Sequence, residues 1–374
     1  MEKLGIYIHI PFCKSKCFYC DFNSYANHEE LVDVYVDALK KEINSANDNR
    51  VVPSIYIGGG TPSYIDGKYI AEILELIRAK FNVSTDAEIT IEANPGTVDR
   101  NKLNIYKDYG VNRISFGLQT CQDKLLKSIG RIHTFEEAKS GYLLARECGF
   151  SNISLDLMFG LPGQSMDDLR YSLERIIELN PEHISTYSLK VEENTVFGKQ
   201  QREGKLILPD EDLERKMYYS IKNELKIVGY EHYEISNFAK KSYQSRHNNS
   251  YWEGQDYLGF GAGASSLYNN LRYSNEGDIR KYIDKISNNE QFYEIEEILD
   301  EKAKLSEAMI LGLRKLKGVS KIDIKEKLGY DILEVYSDEI TKLLRLGLLI
   351  QEGDRIRLTD KGLDLANQVF MEFI

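Results

Sequence analysis

Two hydrophobic periods alternate six times in the first 190 residues, and nothing else in the chain restricts its fold as strongly. Ile6, Ile8 and Ile10 interleave with Tyr7 and His9, the period of a half-buried strand. Residues 28–46 carry Leu31, Val34, Leu39 and Ile43 at helical spacing. The pair repeats: Ile55 and Ile57 ahead of helix 66–80, Ile89 and Ile91 ahead of helix 99–109, then a strand over 113–118. Thr134 with Glu137 three residues on reads as a capping box, and Gly149 as the left-handed stop of that helix. A fifth strand is expected at Ile153–Leu157 and a sixth at Ile184–Leu189. Between them lies a helix begun by Ser165 and Asp168 and faced by Leu169, Leu173, Ile176 and Ile177. Six strand–helix units of this kind imply parallel βαβ pairing and a partial or complete barrel, with an open doubly wound sheet as the alternative.

One face of these strands is apolar: Ile8, Ile57, Ile89, Ile91, Ile114, Phe116, Ile153 and Leu155. The other carries Tyr7, His9, Glu88, Thr90, Glu92, Arg113, Ser115, Ser154 and Asp156. A closed barrel fills its lumen with branched apolar side chains. A polar lumen predicts an open barrel that holds a ligand.

The pattern changes near residue 195. A helix is expected over 209–228 and an extended segment over 230–238. Beyond 301 the expected order is helix 302–315, a short helix at 321–328, helix 332–347, a hairpin over 348–359 turning at Gly353-Asp354, and a helix over 360–372. The reading is a core at 1–195, an α+β extension completing it at 196–295, and a winged-helix-like unit at 296–374.

Composition excludes several classes. Formal net charge is −11, from 48 Lys and Arg against 59 Asp and Glu, which argues against nucleic acid as a partner. Residues 301–374 hold 13 basic and 13 acidic side chains, so the C-terminal unit lacks the positive face a DNA-binding helix needs. No apolar run approaches the length of a membrane span, and the start of the chain does not read as a secretory signal. The chain is expected in the cytoplasm, any membrane association being through an acceptor protein.

Of five cysteines, three are clustered as Cys13-x3-Cys17-x2-Cys20, just past the first strand. In a reducing compartment such a trio points to metal or catalysis rather than disulfides. Three thiolates hold three corners of an iron–sulfur cube and leave the fourth iron open. A zinc site, with His9 as fourth ligand, or incidental thiols are the alternatives. Cys121 and Cys148 read as small core residues. Other chemistry-bearing residues fall at strand C-terminal ends, where barrel enzymes place their sites: Gly58-Gly59-Gly60-Thr61-Pro62, Glu92, Gln119, Asp156 and Gly160-Leu-Pro-Gly-Gln164, with Arg131 in Ile129-Gly-Arg-Ile-His133. Singly, each is more often a capping or salt-bridge residue; at one rim beside the trio they favour a site.

The cysteine motif, with Tyr19 ahead of its last member, resembles the radical S-adenosylmethionine (SAM) signature. Residues 55–62, 90–95, 115–119 and 154–164 resemble the matching segments of oxygen-independent coproporphyrinogen III oxidases and their relatives. The resemblance implies a partial (β/α)6 radical SAM barrel with a [4Fe–4S] cluster on Cys13, Cys17 and Cys20, and SAM on the open iron. One electron from such a cluster cleaves SAM to a deoxyadenosyl radical. It further implies that Tyr7, Gly59, Gly60 and Thr61 contact SAM, Glu92 and Arg131 hold its amino-acid end, Gln119 and Asp156 bind its ribose, and Tyr19 lies near the adenine. A reductant such as flavodoxin or ferredoxin follows, and a homodimer is left open.

Two features depart from the oxidases. Their pattern continues C-x-C, whereas Cys20-Asp21 is followed here by Phe22, and they carry a longer segment ahead of the residue matching Tyr7. Arg246-His247-Asn-Asn-Ser-Tyr251-Trp252 resembles the H-N-x-x-Y-W element of the family's haem-chaperone branch, HemW. By that resemblance His247 would ligate haem as cargo, beside two aromatic rings, for transfer to an acceptor protein. On residues alone, a core histidine packed by aromatics is the stronger reading. Leu258-Gly-Phe-Gly-Ala-Gly-Ala264 is no dinucleotide fingerprint and resembles a family segment near the active site. Three functions follow: a haem chaperone, with no catalytic residue assigned; a SAM-dependent coproporphyrinogen decarboxylase; and a zinc-containing regulator, which charge and the rim residues disfavour.

Overall fold

In the computed structural model, which describes residues 3–374, the alternation becomes a run of parallel strands lying side by side in chain order. They are β1 (Lys3–Ile10), β2 (Val51–Gly59), β3 (Asn82–Ala93), β4 (Arg113–Gln119), β5 (Ile153–Phe159) and β6 (His183–Ser188). Helices Val32–Ser45, Gly67–Lys80, Arg100–Asp108, Phe135–Glu147 and Met166–Leu179 cross between them. Both expected capping boxes form, and Gly149 takes the left-handed conformation at φ 85°. The apolar faces pack under the helices: Ile8, Ile57, Ile89, Ile91, Ile114, Phe116, Ile153 and Leu155 are all at most 2% exposed. Burial of each such side chain stabilises the fold by about 1.5–3 kcal/mol.

The strands β7 (Glu231–Glu234) and β8 (Asn237–Ala239) extend the sheet antiparallel beyond β6. A seventh parallel strand, β9 (Tyr257–Phe260), pairs with β1 on its other side. Antiparallel β10 (Ser265–Tyr268), β11 (Leu271–Asn275) and β12 (Tyr293–Ile298) then complete twelve strands in one mixed, barrel-like sheet. Periodicity did not mark β9, because it is four residues long and lies in a glycine-rich stretch. Gly259 is required there: a Cβ would stand 2.2 Å from the carbonyl oxygen of Ser265.

The C-terminal residues form a separate hydrophobic cluster that includes Met309, Ile340, Ile356 and Phe373. It joins helices Glu301–Arg314, Lys321–Leu328 and Ser337–Arg345 to an antiparallel hairpin, Leu349–Glu352 with Arg355–Leu358, whose second strand also pairs with Val319–Ser320. Two helices expected as continuous are broken, at Tyr336 (φ −112°, ψ 37°) and Leu365 (φ −116°, ψ 26°). At Tyr336 packing overrides propensity: the ring meets Phe373 edge-on at 5.1 Å and its hydroxyl donates to the Phe373 carbonyl at 3.5 Å. Among the described residues no helix is long and apolar enough to cross a membrane.

Candidate functional site

The cysteine loop leaves β1 and is closed on itself. Phe12–Cys13 pairs in parallel with Tyr25–Ala26, and Lys16 donates to the Phe22 carbonyl at 3.1 Å. From the other side, the turn Ile129–Arg131 grips it. The Phe18 amide donates to the Ile129 carbonyl at 3.0 Å, and the Phe18 ring lies where a Cβ on Gly130 would come within 2.7 Å. Cys13 is buried, Cys17 and Cys20 half-buried, and all three thiols are free. Burial pushes the Cys13 and Cys20 thiols up from the usual cysteine value.

The glycine turn after β2 lies directly against the loop. Gly60 donates to the Ile10 carbonyl and Thr61 to the Phe12 carbonyl, both at 2.9 Å, and the Thr61 hydroxyl is 3.5 Å from Cys13 Sγ. A Cβ on Gly60 would meet the Phe12 carbonyl at 2.8 Å and Cys13 Sγ at 2.9 Å. Gly59 adopts φ 119°, and a Cβ there would overlap the His9 ring at 2.9 Å. Here the glycines are needed for close approach, not merely for a turn.

The remaining rim residues face the same space. Glu92 accepts from Tyr56 Oη at 2.8 Å and from the Gly59 amide at 3.3 Å. Desolvation deep in the lumen raises its carboxyl to about 7. Arg131 donates to Cys17 Sγ at 3.5 Å and to the Gly117 carbonyl, while its Nε is buried without a partner. The Tyr19 phenol, near Arg131 and Cys17, is pushed up by burial. Gln119 accepts from Tyr187 at 2.8 Å and takes φ 71°, which turns the chain out of β4. Burial raises the Asp156 carboxyl, which accepts from Ser115 at 3.3 Å. Tyr7 hydrogen-bonds His9 Nδ1 at 2.9 Å. Asn94, not singled out in the sequence, donates to Thr61 at 2.7 Å. Its position two residues past Glu92, on the same face as β3 ends, was the available signal.

Among the described residues no three His, Cys, Asp or Glu side chains stand close enough, as placed, to hold a single metal ion. A cube sets its thiolates farther apart than one ion does, and this donor set suits it: three free thiols on one loop against a glycine cradle. His9 is not available as a zinc ligand in this arrangement, because its Nε2 is engaged by the Asn23 carbonyl at 2.8 Å and its Nδ1 by Tyr7.

The polar lumen, expected to be a ligand space, is entered by the segment between β7 and β9, which bonds to Ser54 and Glu88 on the strands. His247, on the short helix Arg246–Trp252, is 1% exposed. Its Nδ1 is 3.0 Å from Ser54 Oγ and its Nε2 is 2.8 Å from Tyr251 Oη. Burial lowers its pKa to about 3, so the ring is neutral. Glu88 accepts from the Arg246 and His247 amides at 3.0 and 3.1 Å. His183 repeats the arrangement between Ser154 and Tyr233, each at 2.8 Å. In this conformation both His247 nitrogens are hydrogen-bonded and the ring faces away from solvent.

A parallel strand run with a three-cysteine loop and glycine cradle at its rim is the arrangement of a radical SAM protein, and residues 7–176 match the radical SAM superfamily. Residues 299–365 match the HemN C-terminal domain. The chain is 40% identical to the haem chaperone HemW of Bacillus subtilis over 98% of both chains, and 38% identical to that of Lactococcus lactis over 98% of this chain and 96% of the relative. The solved structure of coproporphyrinogen III oxidase (HemN) from Escherichia coli superposes with a TM-score of 0.87 at 25% identity, covering 100% of this chain and 90% of that one. The chain belongs to the HemN/HemW-like family of radical SAM proteins.

Proposed function

We propose that the protein is a haem chaperone that binds haem and passes it to an acceptor protein, and does not oxidise coproporphyrinogen. The observation that carries this is similarity to HemW proteins at 38–40% identity along nearly the whole of both chains, against 25% to the oxidase whose fold it shares. Phe22, where the oxidases have a further cysteine, supports the same reading.

Cys13, Cys17 and Cys20 would hold a [4Fe–4S] cluster and leave one iron for SAM. When bound, that pair supplies one-electron reductive cleavage of a sulfonium. The chain's own groups suit the rest of SAM. The Glu92 carboxylate and the Arg131 guanidinium complement an amino group and a carboxylate, Gln119 and Asp156 suit ribose hydroxyls, and Gly59, Gly60, Thr61 and Tyr7 wall the approach. Tyr19 stands at the same rim for the adenine. His247 would serve as a haem ligand only if helix Arg246–Trp252 left the lumen. We read the C-terminal unit, from about residue 296, as winged-helix-like; its helix and hairpin order and balanced charge support docking or packing rather than DNA binding. The end of the parallel run in chain order supports a boundary near residue 195.

The test is haem titration and coproporphyrinogen III turnover on the same anaerobically reconstituted full-length protein. Stoichiometric haem binding without turnover is expected. Turnover with no haem binding overturns the proposal.

A further inference from the structure

Three aromatic rings form a column in the lumen beneath the rim. The Tyr7 and Tyr56 rings stack at 6.3 Å, and Tyr56 and His247 at 5.2 Å, each pair 26° from parallel. Tyr56 is thereby held between β1 and the helix Arg246–Trp252, and its hydroxyl donates to Glu92 Oε1 at 2.8 Å. The other carboxylate oxygen takes the Gly59 amide. His247 is fixed in turn by Ser54 and Tyr251, and the next residue but four, Trp252, lies under the Arg314 guanidinium at 4.3 Å. A neutral ring with both nitrogens bonded is suited to holding a neighbour in place.

We propose that Tyr56 and His247 are positioning residues for Glu92: His247 fixes the Tyr56 ring, and the Tyr56 hydroxyl fixes the carboxylate that receives the SAM amino group. This rests on the assignment of Glu92 to SAM made above. It gives the H-N-x-x-Y-W element a role toward SAM that is separate from haem.

The chemistry is specific. Glu92 faces Tyr7 from β1, Tyr56 from β2, Arg113 from β4 and Asp156 from β5. Burial and Asp156 favour its neutral form; the Tyr56 hydroxyl, the Gly59 amide and Arg113 favour the charged one. An amine N–H donates more strongly to the charged one. Removing the tyrosine hydroxyl therefore leaves more of Glu92 protonated at neutral pH, and raising the pH restores it.

The experiment is equilibrium dialysis of SAM, from neutral to mildly alkaline pH, on reconstituted full-length wild type, Glu92→Gln, Tyr56→Phe and His247→Ala, with haem titrated in parallel. Tyr56→Phe is expected to weaken SAM binding by about tenfold at neutral pH, with the deficit shrinking as pH rises. His247→Ala is expected to weaken SAM binding while haem affinity holds. Should His247→Ala not fold, Tyr56→Phe, which deletes one oxygen, carries the test alone. Wild-type SAM affinity in Tyr56→Phe at every pH, with affinity lost in Glu92→Gln, overturns the proposal and leaves the Glu92 assignment standing. Unchanged affinity in Glu92→Gln overturns both. Loss of haem with intact SAM affinity in His247→Ala overturns the role given to His247.

Discussion

Gly60 bears on the site through what it lacks. A methyl group there would overlap a backbone carbonyl and a thiol sulfur together, at 2.8 and 2.9 Å, and neither neighbour is the free end of a flexible side chain. Relief of such crowding costs about 1–3 kcal/mol, taken up by the loop that carries Cys13. Gly60→Ala is expected to reconstitute with markedly less iron and sulfide than wild type, at unchanged far-ultraviolet circular dichroism. Full iron incorporation would show that the cradle is not needed. At this scale the sequence was informative wherever a polar residue stood opposite an apolar strand face, as with Glu92 and Asp156. It was silent on Tyr56. That residue alternates between Ile55 and Ile57 in the same way, but aromatic rings suit either face of a strand and its partner His247 is far off in sequence.

Helix starts were equally legible because their signals are local. Ser165 and Asp168 exchange bonds at the head of helix Met166–Leu179: the Asp168 amide donates to Ser165 Oγ at 3.2 Å, and the Ser165 amide to Asp168 Oδ2 at 3.0 Å. The helix opens directly after Gly160–Gln164, so its start also fixes that rim turn. Ser165→Ala is expected to lower the denaturant midpoint by an amount equivalent to about 1 kcal/mol, with no change in slope. Elements decided by distant contacts were not legible. Strand β9 exists because β1 offers it an edge, and the breaks at Tyr336 and Leu365 exist because the C-terminal cluster pulls those side chains inward.

On the scale of the whole molecule, the C-terminal hydrophobic cluster is joined to the main one by a backbone bridge at Glu234 and Lys315, by Ile235, and by polar side-chain contacts. Lys315, 6% exposed, meets Glu253 at 2.5 Å, and Arg314 covers Trp252. Further out, Arg272 pairs with Glu307, and Lys222 with Asp360 at 2.5 Å. Lys315→Ala removes the partner of the Glu253 carboxylate, and with Arg314→Ala it also uncovers the indole. The double variant is expected to show faster limited proteolysis between residues 290 and 300, the exposed edge strand and turn by which the chain passes from one cluster to the other, than wild type. Equal cutting rates would place the cohesion elsewhere. The clusters were legible as a change of pattern; the contacts joining them, which turn on residues 35 or more apart, were not. The lumen itself has a floor, built by His247, Tyr251 and Tyr233 and bonded to the strands around it. Glu92 sits beside the glycine turn that cradles the cysteine loop, so a broad, flat guest lying across that rim would cover whatever rests against Glu92, and the order of loading would become the order that must be reversed on release.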